Sequence, residues 1–165
     1  MKAPSVKLPI RTSNGQFGAH YSEKGLAELD FPSVGRASPR AVKPIGVPTA
    51  IRRWHQATAA ALKQVLAGRS PKSFPPLDLA GTKFQKSVWN ALRKIPAGKT
   101  KSYGEIARAI GKTKAVRAVG GACGANPIPV LIPCHRVVAA NKKLGGFSGG
   151  LNRKRELLAR EGVSL

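Results

Sequence analysis

Read for alternation and helical spacing, the chain starts with short strands and continues in amphipathic helices. Val6 to Ile10 and Gln16 to Tyr21 flank Asn14-Gly15, two residues that tolerate positive φ and so predict a hairpin. Ser22 to Gly25 makes a second turn into Leu26 to Phe31, where Ala27, Leu29 and Phe31 share one face and Glu28 and Asp30 the other. That is the pattern of a half-buried strand. Residues 32–48 mix Pro, Gly, Ser and basic side chains without a period and predict an extended or mobile loop. Thr49 stands where it can cap a helix whose Ile51, Trp54, Ala61, Leu62, Val65 and Leu66 fall on one face, with Gly68 as its stop.

The second half is mostly helical. Thr82 and Gln85 have capping-box spacing ahead of Phe84, Val88, Ala91, Leu92 and Ile95, and Pro96-Ala-Gly98 ends that helix. Ser102 and Glu105 repeat the spacing before Ile106, Ala107 and Ile110, with a stop at Gly111. A third helix over about 114–123 then completes a helix-turn-helix at about 102–124. Val130 to Ile132 is long enough only for a short buried strand, cut off by Pro133, which has no N–H to give to a ladder. Asn152 to Glu161 forms the last helix, burying Leu157 and Leu158. The expected fold is α+β: a small antiparallel sheet-plus-helix domain over residues 1–78, joined to a mostly helical domain over 79–165.

Composition adds one strong constraint. The net charge is +22, and residues 79–165 carry 17 Lys and Arg against 3 acids, compared with 12 against 4 before them. An excess of that size favours polyanions, and without a Lys-rich amphipathic helix suited to a membrane surface the partner to expect is nucleic acid. A merely basic, ribosome-associated protein is the alternative. No run approaches eighteen apolar residues, and the first residues lack the apolar centre of a secretory signal, so the expected setting is soluble and intracellular. The two cysteines have no zinc-ligand or C-x-x-C spacing and are expected to be reduced.

Candidate chemistry gathers at Cys134-His135-Arg136, where a thiol, a proton acceptor and a fixed positive charge are adjacent. A nucleophilic thiol needs such a charge or base, because a resting thiol is only a few per cent ionised at neutral pH. Neighbours on an extended strand point to opposite faces, so the chain must bend here or a water must bridge thiol and imidazole. A buried, inert cysteine is the competing reading. In the helix over 114–123, Ala115, Ala118, Gly120 and Gly121 are too small to read base edges. They suit either close approach to a narrow groove or close helix packing, and Arg117 is left to pair a phosphate or enter the base stack. Residues 145–150, Gly-Gly-Phe-Ser-Gly-Gly, lack nucleotide-loop spacing; backbone donors beside Phe147 suit a planar heterocycle, or the segment is only a flexible loop. Glu161, at a helix C-terminus where the dipole disfavours it, asks for a buried partner.

Pro133-Cys-His-Arg-Val137, Asn126-Pro127, Arg117-Ala-Val119, Ser102-Tyr-Gly104 and the loop around Phe147 closely resemble the O6-alkylguanine-DNA alkyltransferases, or methylated-DNA–protein-cysteine methyltransferases. The resemblance covers residues 81–162, and residues 5–80 are similar to a weak version of that family's N-terminal domain. It implies single-turnover, irreversible transfer of an alkyl group from guanine O6 in a flipped nucleotide to Cys134, with no cofactor and no metal. By the same resemblance His135 is a water-linked base, Glu161 orients it, and Tyr103 crowds a phosphate and protonates the leaving base. Arg117 fills the gap left by the flipped base, and Asn126 couples the DNA-binding helices to the cysteine. Val137 and Ser148 read the guanine edge through main-chain groups, while Pro129 and Gly149 wall the alkyl pocket. The implied partner is double-stranded DNA containing O6-alkylguanine, bound by a monomer with little sequence preference through the minor groove, in the nucleoid or nucleus. Phe147 stands where many members have Tyr, which keeps the stacking face and loses the hydroxyl. The zinc ligands of some animal relatives are absent. The alternatives are a lesion-binding relative that does not react, which would lack Cys134; a helix-turn-helix regulator, which would need base-reading side chains; and a cysteine hydrolase, which would turn over.

Overall fold

A computed structural model describes residues 6–33 and 46–165. Most of the predicted 32–48 loop therefore lies outside the described residues. Strands β1 (Val6–Thr12), β2 (Gly15–Tyr21) and β3 (Leu26–Asp30) form an antiparallel meander in the order β1-β2-β3. The hairpin closes at Gly15, at φ 109, where Thr12 pairs with Gly15. A register shift at His20/Tyr21 disturbs the expected alternation in β3, so Leu26 and Leu29 are buried while Ala27 and Phe31 are half-buried.

Helix α1 (Thr49–Leu66) covers the sheet with Ile51, Ala61, Leu62 and Val65. Its N-cap is Pro48 and no side chain caps it, a correction to the expected Thr49 cap. Thr58, which interrupts the apolar stripe, is buried because its hydroxyl donates to the Trp54 carbonyl at 2.7 Å. Gly68, at φ 79, follows the helix; any Cβ there would run into the Arg160 carbonyl, so this turn fixes how closely the last helix approaches.

Helices α2 (Lys83–Leu92) and α3 (Tyr103–Ala109) both begin with complete capping boxes, Thr82 with Gln85 and Ser102 with Glu105. Helix α4 (Val116–Gly124) starts two residues later than expected, and α3 and α4 pack as the helix-turn-helix pair. The indole N–H of Trp89 donates to the Ala122 carbonyl at 2.8 Å, tying α2 to α4. Two short strands, β4 (Lys101–Ser102) and β5 (Val137–Val138), form a parallel pair with no counterpart in the sequence reading. Helix α5 (Leu151–Arg160) closes the fold.

Val130 to Ile132 is buried but is not a strand. Val130 has φ 73, the Ile132 N–H bonds back to the Ile128 carbonyl at 2.9 Å, and only an isolated bridge joins Pro129 to Ile132. Prolines at 127, 129 and 133 remove the donors a ladder would use, so the run satisfies its backbone in a tight turn.

Candidate active site

The capping that starts α3 also places its first residue. Ser102 ends β4 and caps α3, so Tyr103 is held beside β5, and residues 134–136, one 3₁₀ turn, lead directly into that strand. Cys134, His135 and Arg136 are all buried. The chain therefore bends at these three residues instead of continuing as an extended strand.

His135 Nε2 lies 3.0 Å from Glu161 Oε1. Arg136 holds the same carboxylate from Nη2 at 2.7 Å and from Nε at 3.0 and 3.1 Å, and its Nη1 donates to the Ile95 carbonyl at 2.6 Å. Burial works to raise the Glu161 carboxyl, but hydrogen bonds from His135 and Arg136 outweigh it and hold it at about 2. Burial pulls His135 below its ordinary value despite that carboxylate. The consistent assignment is a neutral imidazole whose Nε2–H donates to an ionised Glu161. Its Nδ1 is then an acceptor, and among the described residues it is buried with no hydrogen-bond partner.

Burial pushes the Cys134 thiol up, opposed by the Asn126 side-chain amide and the Lys154 ammonium. The thiol thus keeps its proton at neutral pH. This corrects the expectation that the adjacent Arg136 would activate it, because Arg136 is committed to Glu161. The cation whose field reaches the sulfur is Lys154, whose ammonium is fully buried and donates to the Val137 carbonyl at 2.6 Å and the Gly146 carbonyl at 3.0 Å. Burial lowers its pKa. Sequence reasoning missed Lys154, although it lies three and four residues before Leu157 and Leu158, on the buried stripe of α5.

Asn126 donates to the Ile132 carbonyl at 2.8 Å and accepts from the Ile128 N–H at 3.0 Å, so it braces the turn between α4 and Cys134. Tyr103 is half-buried and close enough to both thiols to be raised by them, after burial. Cys123 is buried and raised to about 12, mainly by burial. Val137 is buried and presents its carbonyl to Lys154. Phe147 and Gly149 are half-buried, and Ser148 is exposed. Pro129, Ser148 and Asn126 line an open cleft of about 360 Å³ that also takes in Glu28 to Phe31 and Pro127; Cys134, Val137 and Phe147 are not in its walls.

On α4 the two sequence readings divide by face. Val119, Ala122 and Cys123 pack inward; Arg117, Ala118 and Gly121 are exposed, and Ala115 and Gly120 are half-exposed. Of the three acids in residues 79–165, Glu161 is buried in its ion pair and Glu105 accepts from the Ser102 N–H at 2.7 Å, so little opposes the basic side chains. No helix among the described residues is long and apolar enough to cross a membrane. His20, Glu28 and Asp30 are the only group of metal-ligand type among the described residues, and Asp30 already accepts from Lys7 at 3.1 Å and His20 at 2.7 Å.

Residues 83–163 match the family model for the 6-O-methylguanine DNA methyltransferase, DNA binding domain. A methylated-DNA–protein-cysteine methyltransferase of Mycobacterium bovis is 54% identical over 100 residues, which span 61% of this chain and 61% of that relative. The solved Mycobacterium tuberculosis O6-methylguanine methyltransferase is 37% identical with a TM-score of 0.73, covering 96% of this chain and 93% of that one. Mycobacterium tuberculosis OGT in complex with DNA is 39% identical, covering 94% and 91%, with a TM-score of 0.72. With identity and coverage of that extent along nearly the whole length, this chain belongs to the O6-methylguanine-DNA methyltransferase family.

Proposed function

We propose that this chain repairs DNA by taking an alkyl group from guanine O6 onto Cys134, once per molecule. The observation that carries the reading is the buried His135, neutral, with Nε2–H given to Glu161 and Nδ1 left as an acceptor next to the thiol in sequence. As the lesion enters, the thiol proton passes to Nδ1, across a water if one intervenes. The sulfur then forms its bond to the alkyl carbon as the bond from that carbon to O6 breaks. The net proton goes from thiol to departing guanine. Tyr103, which burial keeps protonated, delivers it and is replenished from the imidazolium.

Lys154 and Asn126 stabilise the thiolate as it forms, which lets a thiol protonated at rest react when substrate is present. The exposed small face of α4 lets backbone approach a narrow groove, with Arg117 filling the space of the flipped base against an unstacking cost of a few kcal/mol. Phe147 supplies the stacking face, main-chain groups of Val137 and Ser148 the guanine-edge contacts, and Pro129 and Gly149 the alkyl walls. We place the domain boundary near residues 78–79 and read the protein as a monomer on duplex DNA of any sequence.

The test is to mix the chain with duplex DNA carrying O6-methylguanine and locate the methyl group by peptide mass. It is expected on Cys134 in a one-to-one yield, and Cys134→Ser should bind the same DNA without transfer. An unmodified Cys134 in a chain that still binds the lesion would point to recognition without reaction. Arg117→Ala should slow repair in duplex far more than reaction with free O6-benzylguanine; equal losses would remove the base-replacing role.

A further inference from the structure

Phe31, at the exit of β3, belongs to the N-terminal half, yet its ring packs edge-on against Phe147 at 5.6 Å between centroids and 76° between planes. Three further contacts hold it there. Phe17 lies 6.1 Å away, the Arg153 guanidinium sits 4.9 Å over the ring, and Arg153 Nη2 donates to the neighbouring Pro32 carbonyl at 2.8 Å. Gly149 is confined between the two rings: a Cβ there would lie 2.7 Å from Phe31 and 2.8 Å from Phe147. Phe31 also lines the 360 Å³ cleft together with Pro129 and Ser148, and β3 is fixed to the far side of that cleft by the Leu29 N–H bonding to the Pro127 carbonyl at 2.9 Å.

We propose that this cleft receives the distal part of bulky O6-alkyl groups and that Phe31 is a specificity-determining residue, so the N-terminal half helps choose the alkyl group. The inference rests on the alkyl-transfer reading and deepens it. A methyl group needs none of this space. An aromatic or extended substituent on the same oxygen must leave the region of Pro129 and Gly149 on some side. The cleft offers Phe31, Leu29, Pro127 and Pro129 as apolar contacts, in a volume within the roughly 300–1,000 Å³ usual for small-molecule sites. Glu28 and Asp30 at its edge make it a poor host for an anionic substituent.

The experiment compares single-turnover rates for duplexes containing O6-methylguanine and O6-benzylguanine. Phe31→Trp, which fills the cleft, is expected to lower the benzyl-to-methyl rate ratio by roughly tenfold, the scale on which apolar pockets discriminate size. Because Phe31 also supports Phe147, Glu28→Trp fills the same cleft from its exposed edge without touching that support, and is expected to lower the ratio in the same direction. Ratios unchanged within twofold in both variants would overturn the proposal, even if both rates fell together, and would leave Phe31 as packing only. If the unsubstituted chain transfers no methyl group at all, it is the repair reading that fails.

Discussion

Among the described residues a carboxylate holds a histidine and a strong base in two places, once in water and once in the core. In the first, Asp30 accepts from His20 at 2.7 Å and from Lys7 at 3.1 Å, with the Asp30 and Lys7 side chains half or more exposed. In the second, Glu161 faces His135 at 3.0 Å and Arg136 at 2.7 Å, with none of the three side chains more than 4% exposed. Both carboxyls are held below their ordinary value, but their surroundings give the two trios different consequences. At the surface, water and salt can replace either partner, so the trio is a weak tie across the sheet. In the core, nothing can replace them. The carboxylate must stay ionised, Arg136 must stay paired, and the histidine is confined to one tautomer with its other nitrogen free to act.

The largest effect should come from breaking the buried trio. Glu161→Gln leaves the Arg136 charge without its counterion, and a lost buried partner costs about 3–5 kcal/mol. Urea unfolding should show that loss. Alkyl transfer should fall as well, since the amide can still touch His135 but no longer offsets a positive imidazolium.

A second, intermediate effect concerns the cation outside the trio. Lys154→Met keeps the length of the side chain and removes the charge that opposes the rise of the Cys134 thiol. The transfer rate at neutral pH should drop by about tenfold for each unit the thiol climbs, and it should recover as pH rises. A loss that is the same at every pH would mean Lys154 only braces the Val137 and Gly146 carbonyls.

Acid should separate the two trios in a third way. His135 has its folded pKa lowered, so the unfolded chain binds more protons, and this contribution to stability is lost as pH falls below the ordinary 6.5. Glu161, at about 2 folded against an ordinary 4.5, contributes stability that is present above 4.5 and lost as pH falls toward 2. Acid titration of unfolding free energy should therefore decline in two stages. Glu161→Gln should shrink the lower one to the smaller part that exposed carboxylates such as Asp30 contribute.

The parts of this design that could be read from the sequence are those that act over three or four residues. Both capping boxes and the Asn14-Gly15 turn have their partners within one turn of chain, so spacing alone determines them. The adjacency of Cys134 and His135 is plain from the chain itself. What escaped was non-local. Strands β4 and β5 have two residues each, too few for any period, and exist because residues 101–102 and 137–138 meet. Arg136 looked like the thiol's activator because it is two residues away, yet its partner is Glu161, 25 residues on. Lys154 drew no reading, because lysine is usually exposed and the one local signal was its place on the Leu157–Leu158 stripe.

The smallest expected effect tests the exposed trio and, with it, the claim that burial makes the difference. Asp30→Asn removes the same negative charge that Glu161→Gln removes, from an equivalent pair of partners. Its cost should be within about 1 kcal/mol in low salt and should shrink further as salt is added, because exposed pairs are screened over a Debye length of about 10 Å at 0.1 M. Transfer of a methyl group to Cys134 should be unchanged, since among the described residues the side-chain hydrogen bonds of Asp30 go to Lys7 and His20 and not to the buried trio. A cost comparable to that of Glu161→Gln, persisting at high salt, would mean the β2–β3 surface depends on this charge as the core does. Solvent would then not be what separates the two clusters.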